Sequence, residues 1–382
     1  MSKNNKKKTP WKQYVALASM FLVGAAFGLF TVLYIENSSA DEPAYKTLLS
    51  YAVLLGGIYI ANFFHIIVHE VGHLVFGLLS GYKFVSFRVL SFTWVKENDK
   101  IKFRRLSIAG TAGQCLMSPP EMKGGKFPVA LINFGGVIFN AIFSVLFLIG
   151  YFLFSSYSYL NTLLLVFTIF GFVLAIFNGV PLRMGGVDND GYNAISLSKN
   201  EKALEAFWIQ MKMVELQSMG LRIKDMPAEW FSVPADEDMK NNMVAARGVF
   251  ACNRLMDEER FEEADALMAH ILDIDSGIVG IHRNILVCDR IFVELISENR
   301  RDVIEDMLSK ELKNFMKAMK NYPSILRTEY SLALLFEKDT QKADKIKAQF
   351  DKASRKYPYQ QEIQPEKAMM DLAHEKYQAT VT

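Results

Sequence analysis

The chain has 382 residues, 51% of them hydrophobic and 22% charged, with a net charge of +2. A balance this close to neutral, with no basic stripe interleaved with aromatics, excludes the electrostatic footprint of nucleic-acid binding. Three scattered cysteines, Cys115, Cys252 and Cys288, exclude a disulfide framework and a cysteine zinc knuckle, and read as buried or free thiols of a reducing compartment.

The first thirteen residues are a basic terminus carrying Lys3, Lys6, Lys7, Lys8 and Lys12. An apolar run at about Tyr14–Ile35 follows. It exceeds the h-region of a signal peptide and no clear small-x-small cleavage site follows it, so it is read as a retained anchor. Further apolar runs lie within Leu48–Ser80, at Phe127–Phe154 and at Tyr159–Val180, each long enough for the roughly 20 residues a crossing helix needs. The run within Leu48–Ser80 is too long for one straight perpendicular span; it must tilt, kink near Gly56-Gly57 or protrude.

Lys and Arg are absent from Glu36–Ala44 and from Ser155–Tyr159. They crowd the segment between the second and third runs, as Lys83, Arg88, Lys96, Lys100, Lys102, Arg104, Arg105, Lys123 and Lys126. The positive-inside rule then predicts four spans with both termini in the cytoplasm.

Inside the second run stands His69-Glu70-Val71-Gly72-His73, an H-E-x-x-H sequence. Residues four apart share a helix face, so both imidazoles can grip one metal ion, with the glutamate placed to take a proton from water. In a membrane helix such a cluster has no inexpensive solvated state, which makes a functional site the default reading. His65 lies one turn earlier on the same face; a partner of the site, a substitute ligand and a bond to a neighbouring helix all stay open.

Beyond this helix, Val85–Val89 and Lys100–Arg104 alternate in polarity around a turn at Glu97-Asn98-Asp99, which predicts a β-hairpin. An edge strand there would hold an unwound substrate by β-augmentation, or the hairpin would merely cover the cytoplasmic face. Gly110–Gly125 reads as a flexible loop. The fourth run ends in Asn178-Gly179-Val180-Pro181 and then Asp188-Asn189-Asp190-Gly191. Proline breaks the helix near the membrane face and the glycines let the chain fold back, turning a carboxylate inward. Zinc hydrolases keep three protein ligands and one open position, so such a carboxylate would complete the pair of histidines.

On these motifs the chain resembles the site-2 protease family of intramembrane zinc metalloproteases. The matching residues are His69, Glu70 and His73, then Asn178 and Pro181, then Asp190 and Gly191. Gly136-Val137-Ile138-Phe139-Asn140 is similar to the family's Gly-Pro-x-x-Asn element, with Val137 in place of proline. The resemblance implies a Zn2+ site of His69, His73 and an aspartate, with Glu70 as the catalytic residue and Asn140 and Asn178 as substrate-binding candidates. Asn140 also reads as interhelical glue. Asp188 comes nearer to the family's spacing from the proline, whereas Asp190 has the glycine after it; Asp190 is preferred.

After Ser198 the pattern turns charged and helical. Phe315, Lys317, Ala318, Tyr322 and Pro323 recur 35 residues later as Phe350, Lys352, Ala353, Tyr357 and Pro358, near the 34-residue period of tetratricopeptide solenoids. His270, His282 and His374 lack ligand spacing and read as ordinary helix residues.

The expected fold is therefore mainly α. It comprises a basic N-terminus at 1–13, a polytopic membrane core of about four spans with a small β-hairpin at 14–198, and an all-α, tetratricopeptide-like soluble domain at 199–382. The expected function is an intramembrane zinc endopeptidase cutting a transmembrane protein or membrane-anchored peptide near the cytoplasmic face of a bacterial cell membrane, with a protein partner for the C-terminal helices. The competing class is a non-catalytic membrane adaptor or a metal transporter. A transporter needs polar groups through both leaflets, and an adaptor has no need of Glu70.

Overall fold

The computed structural model describes residues 43–97, 100–106, 111–154, 158–184 and 187–381. The expected first span at about Tyr14–Ile35 lies outside the described residues. The described chain is mainly helical and holds three helices long and apolar enough to cross a membrane: α1 (Ala44–Leu79), α2 (Ala130–Leu153) and α3 (Ser158–Gly179). Leu48, Leu55, Leu146, Phe152 and Ile176 are exposed on these helices, whereas His65, Asn140 and Ser144 are buried between them. That inversion suits helices whose solvent is hydrocarbon and whose polar groups must be satisfied internally.

Helix α1 runs unbroken through Gly56-Gly57. Gly57 serves close packing instead, because a Cβ there would stand 2.7 Å from the Leu163 side chain of α3. Its 36 residues extend about 54 Å at 1.5 Å per residue, well beyond a hydrocarbon core of about 30 Å, so the helix tilts or protrudes. Helix α3 stops at Gly179, two residues before Pro181. The chain then makes a two-residue hairpin, β5 (Arg183–Met184) with β6 (Val187–Asp188), and enters α4 (Asp190–Leu197).

Between α1 and α2 lies an antiparallel sheet of β1 (Lys83–Val89), β2 (Phe92–Glu97), β3 (Lys100–Arg105) and β4 (Gly113–Ser118), in the order β3-β2-β1-β4. The expected hairpin of Val85–Val89 with Lys100–Arg104 is corrected: β2 pairs with both and separates them. The alternation Thr93, Val95, Glu97 inward and Phe92, Trp94 outward was the overlooked signal. The expected loop at Gly110–Gly125 is likewise strand over Gly113–Ser118, paired along β1.

The chain divides into two compact units, one of the helices up to Ser80 with Pro128–Lys199, the other of Gly81–Phe127 with the chain from Asn200 onward. The sequence-based division placed residues 81–127 with the membrane core. They group instead with the helical half because their contacts are there. Trp208 Nε1–H donates to Pro120 O at 2.9 Å, the Arg105 N–H donates to Lys356 O at 3.3 Å, and Phe127 stacks on Phe207 with centroids 6.3 Å apart.

The second unit contains α5 (Glu201–Ser218), α6 (Asn242–Asp257), α7 (Phe261–Asp273), α8 (Gly280–Ile296), α9 (Arg301–Met307), α10 (Lys310–Ala318), α11 (Pro323–Ser331), α12 (Thr340–Ser354) and α13 (Ile363–Val381). One apolar core spans α6 to α13, including Met268, Ile271, Leu286, Phe292 and Leu326. In the 35-residue echo, Tyr322 follows α10 and Tyr357 follows α12, and their rings lie 6.2 Å apart. All three cysteines are free thiols.

Candidate metal centre

Helix α1 carries His69 and His73 one turn apart, and a run of small residues lets its neighbour reach them. A Cβ on Gly72 would stand 2.3 Å from Gly135 O, and one on Gly136 would stand 2.4 Å from His69 Nδ1. Glycine at these places allows α1 and α2 to cross backbone to backbone beside the histidines. His73 Nδ1 lies 2.7 Å from Ile132 O, a carbonyl that can only accept. The ring proton therefore sits on Nδ1, and Nε2 is left with its lone pair facing the site.

The third group arrives from far along the chain. Asp190 opens α4, and its Oδ2 lies 3.0 Å from His69 Nε2 and 3.5 Å from His73 Nε2. The two Nε2 atoms are themselves 3.0 Å apart. A tetrahedral zinc with bonds of about 2.0 Å would hold its ligand atoms roughly 3.3 Å from one another, so the three atoms have the spacing of one metal's ligands. Asp190 Oδ2 is buried and has no well-aligned hydrogen-bond partner, which is the state of an atom awaiting a cation. The donor set of two imidazoles and one carboxylate suits zinc. Burial raises the Asp190 carboxyl pKa, but the two imidazoles outweigh it and hold the group below the usual carboxylate range. The side chains are 13% exposed for each imidazole and 23% for the carboxylate, so water can reach this cluster.

Between the two aspartates the choice is decided by partners. Asp188 Oδ1 accepts from Arg183 Nε at 2.6 Å across the β5–β6 hairpin, while Asp190 faces the histidines. Gly191 follows Asp190 for a reason of packing: a Cβ there would stand 2.1 Å from Gly179 O at the end of α3.

Asn189 is the residue that sequence reasoning missed. Its Oδ1 accepts from Tyr192 N at 2.9 Å and Leu182 N at 3.0 Å, and its Nδ2 donates to Phe177 O at 2.6 Å and Val180 O at 2.7 Å. One amide thus uses its full donor and acceptor capacity to lock the end of α3 to the start of α4, and Asp190 is the next residue. The signal was available, because Asn directly before an acidic first turn is a helix N-cap.

The remaining expected residues differ in their surroundings. Glu70, on α1 between the histidines, is buried. Asn140 of α2 is fully buried, its amide against His65 and His69, which removes it from an open substrate surface. Asn178 Nδ2 donates to Leu174 O at 3.0 Å, within its own helix. His65 is enclosed between α1, α2 and α3 and is not among the three converging groups. In the second unit His270 bonds Asp236, and His374 bonds Tyr330 and Gln378.

In comparisons with known proteins, the sequence model described as Peptidase family M50 matches residues 58–350. That span takes in α1 from its middle, the sheet, α2, α3, Asp190 and most of the helical half. No curated protein and no solved structure matched.

Proposed function

The chain belongs to peptidase family M50, the site-2 protease family, and on that premise we propose that this membrane metalloprotease is a zinc endopeptidase cutting a membrane-embedded peptide near the cytoplasmic face. The observation that carries the reading is the convergence of His69, His73 and Asp190, from segments over a hundred residues apart, beside the glutamate of H-E-x-x-H.

His69, His73 and Asp190 would hold the ion, which when bound acidifies a water and polarises the scissile carbonyl. The chain's own residues do the rest. Ile132 O fixes the tautomer of His73, and Asn189 fixes the entry of Asp190. Glu70 accepts the proton of the attacking water and passes it to the departing amine nitrogen.

The cytoplasmic placement has two supports. The segment between α1 and α2 holds the concentration of Lys and Arg. Residues 81–127 and the chain from Asn200 pack as one unit, and two crossings, α2 and α3, lie between them, which returns the chain to one side. His73 and His69 lie six and ten residues before the end of α1, about 9 and 15 Å along its axis and hence toward that side. With the additional first span expected from the sequence, both termini are then cytoplasmic, and the helical half is the candidate to engage a substrate or a regulator.

Membrane proteomics comparing wild type with Glu70→Gln tests this. A short membrane peptide or anchored protein should accumulate in the variant while the purified protein keeps one zinc. Unchanged cleavage in Glu70→Gln would sink the assignment.

A further inference from the structure

His65 is the histidine of α1 that the metal centre does not use, yet the helices are built around it. It is wholly buried. A Cβ on Gly171 of α3 would stand 2.3 Å from His65 Cε1 and 2.0 Å from Ser144 Oγ, so glycine there is what lets α3 close over the ring. With α3 that close, His65 Nε2 lies 2.8 Å from Phe167 O. On its other side His65 Nδ1 lies 3.2 Å from Asn140 Oδ1, and Asn140 Nδ2 reaches His69 Nδ1 at 3.4 Å. Four polar groups from three helices form one chain: Phe167 O, His65, Asn140, His69.

Only one arrangement of protons satisfies that chain when His69 gives Nε2 to a metal. A metal-bound imidazole of this kind carries its proton on Nδ1 and needs an acceptor there. The Asn140 amide must then turn its oxygen to His69, and its nitrogen donates to His65 Nδ1. Phe167 O can only accept, so His65 carries its single proton on Nε2 and keeps a lone pair on Nδ1 to receive Asn140. Every group is satisfied with His65 neutral. With the amide left as placed, Oδ1 toward His65 and Nδ2 toward His69, His65 faces two acceptors with one N–H, and His69 meets a donor where it must itself donate. Amide O and N are assigned by such a network, since the two ends have the same shape.

We infer that His65 is a positioning residue for the metal centre: by donating to Phe167 O and accepting from Asn140, it fixes the Asn140 amide so that His69 presents Nε2 to the ion. This rests on the zinc reading above and extends it one helical turn deeper. It also gives Asn140 a task on the ligand. Partners that orient a ligating histidine are commonly worth tenfold to a hundredfold in metal affinity, whereas a histidine that merely joins helices would leave affinity alone.

The test uses full-length protein in detergent, loaded with one equivalent of Zn2+ and titrated with a zinc chelator. His65→Phe and Asn140→Leu should each release zinc at tenfold or more lower chelator. Asn140→Asp keeps an acceptor for His69 Nδ1–H and should stay within about threefold of wild type. The double variant His65→Phe/Asn140→Leu should be no worse than the weaker single, because both cut the same chain. A wild-type midpoint for His65→Phe overturns the inference while His69→Ala still abolishes binding. Should His65→Phe not fold, the Asn140 pair decides alone: equal losses for Asn140→Asp and Asn140→Leu overturn it. If His69→Ala leaves zinc bound, it is the metal-centre reading that fails, and this inference with it.

Discussion

Each unit of the protein buries a polar cluster, and the two are built on opposite terms. In the helical half Arg327 is 1% exposed, pairs with Asp289 and Glu366, and lies over the Phe292 ring at 4.5 Å. Each carboxylate there has the guanidinium as its partner, and the guanidinium has both. In the membrane core His69, His73 and Asp190 turn acceptors toward a common point. A cluster that is satisfied from within holds a fold together. One that is satisfied around its rim and open at its centre is prepared for a ligand.

The sharpest way to separate the two is to disable each. Glu70→Gln should lower cleavage by about a hundredfold to ten-thousandfold with zinc content unchanged, as the loss of a general base predicts. A zinc assay beside a substrate-cleavage blot checks both halves of that statement. Arg327→Met should do the converse. It strands Asp289 and Glu366 as uncompensated buried charges, at a cost of about 3–5 kcal/mol. Thermal unfolding followed by circular dichroism should show the helical half melting earlier, and the zinc titration of the surviving folded protein should be unmoved.

A third prediction concerns pH. Burial raises Glu362 from 4.5 to about 7, in spite of hydrogen bonds donated by Tyr357 Oη at 2.7 Å and Gln217 Nε2 at 3.2 Å. Between those two values the folded protein holds a proton that the unfolded chain has released. Stability therefore falls as pH rises from about 4.5 to 7 and levels off above, by at most about 3 kcal/mol. Glu362→Gln should flatten that dependence in melts taken at pH 5 and pH 8, and a wild-type slope in the variant would assign it elsewhere. The smallest effect is expected of Asn189→Ala, which removes a helix cap worth about 1–2 kcal/mol. Because Asp190 is the next residue, the chelator midpoint should drop with it, by up to about tenfold, and an unmoved midpoint would detach Asn189 from the metal centre.

Local patterns were legible because they are local. The i, i+4 pair of His69 and His73 needs only a helix, the ends of α1, α2 and α3 follow from the lengths of apolar runs and from Pro181, and Glu70 comes with its neighbours. Strand β2 was missed although it alternates, because the Gly-poor turn at Leu90-Ser91 gave little punctuation before it. The grouping of residues 81–127 with the helical half could not be read at all, since it depends on contacts such as Trp208 with Pro120.

What the sequence by itself determined was the chemistry on offer: two imidazoles and a glutamate on one helical face, and carboxylates after a broken helix. Which carboxylate serves was a tertiary matter. Asp188 and Asp190 differ by two residues, and an ion pair to Arg183 engages one while the Asn189 cap and the Gly191–Gly179 contact deliver the other. His65 belongs to the same class of decision. Its identity is written in α1, but its task is set by an amide on α2 and a carbonyl on α3. Hydrogen bonds between helices have no period along the chain, so only the packed structure could assign them.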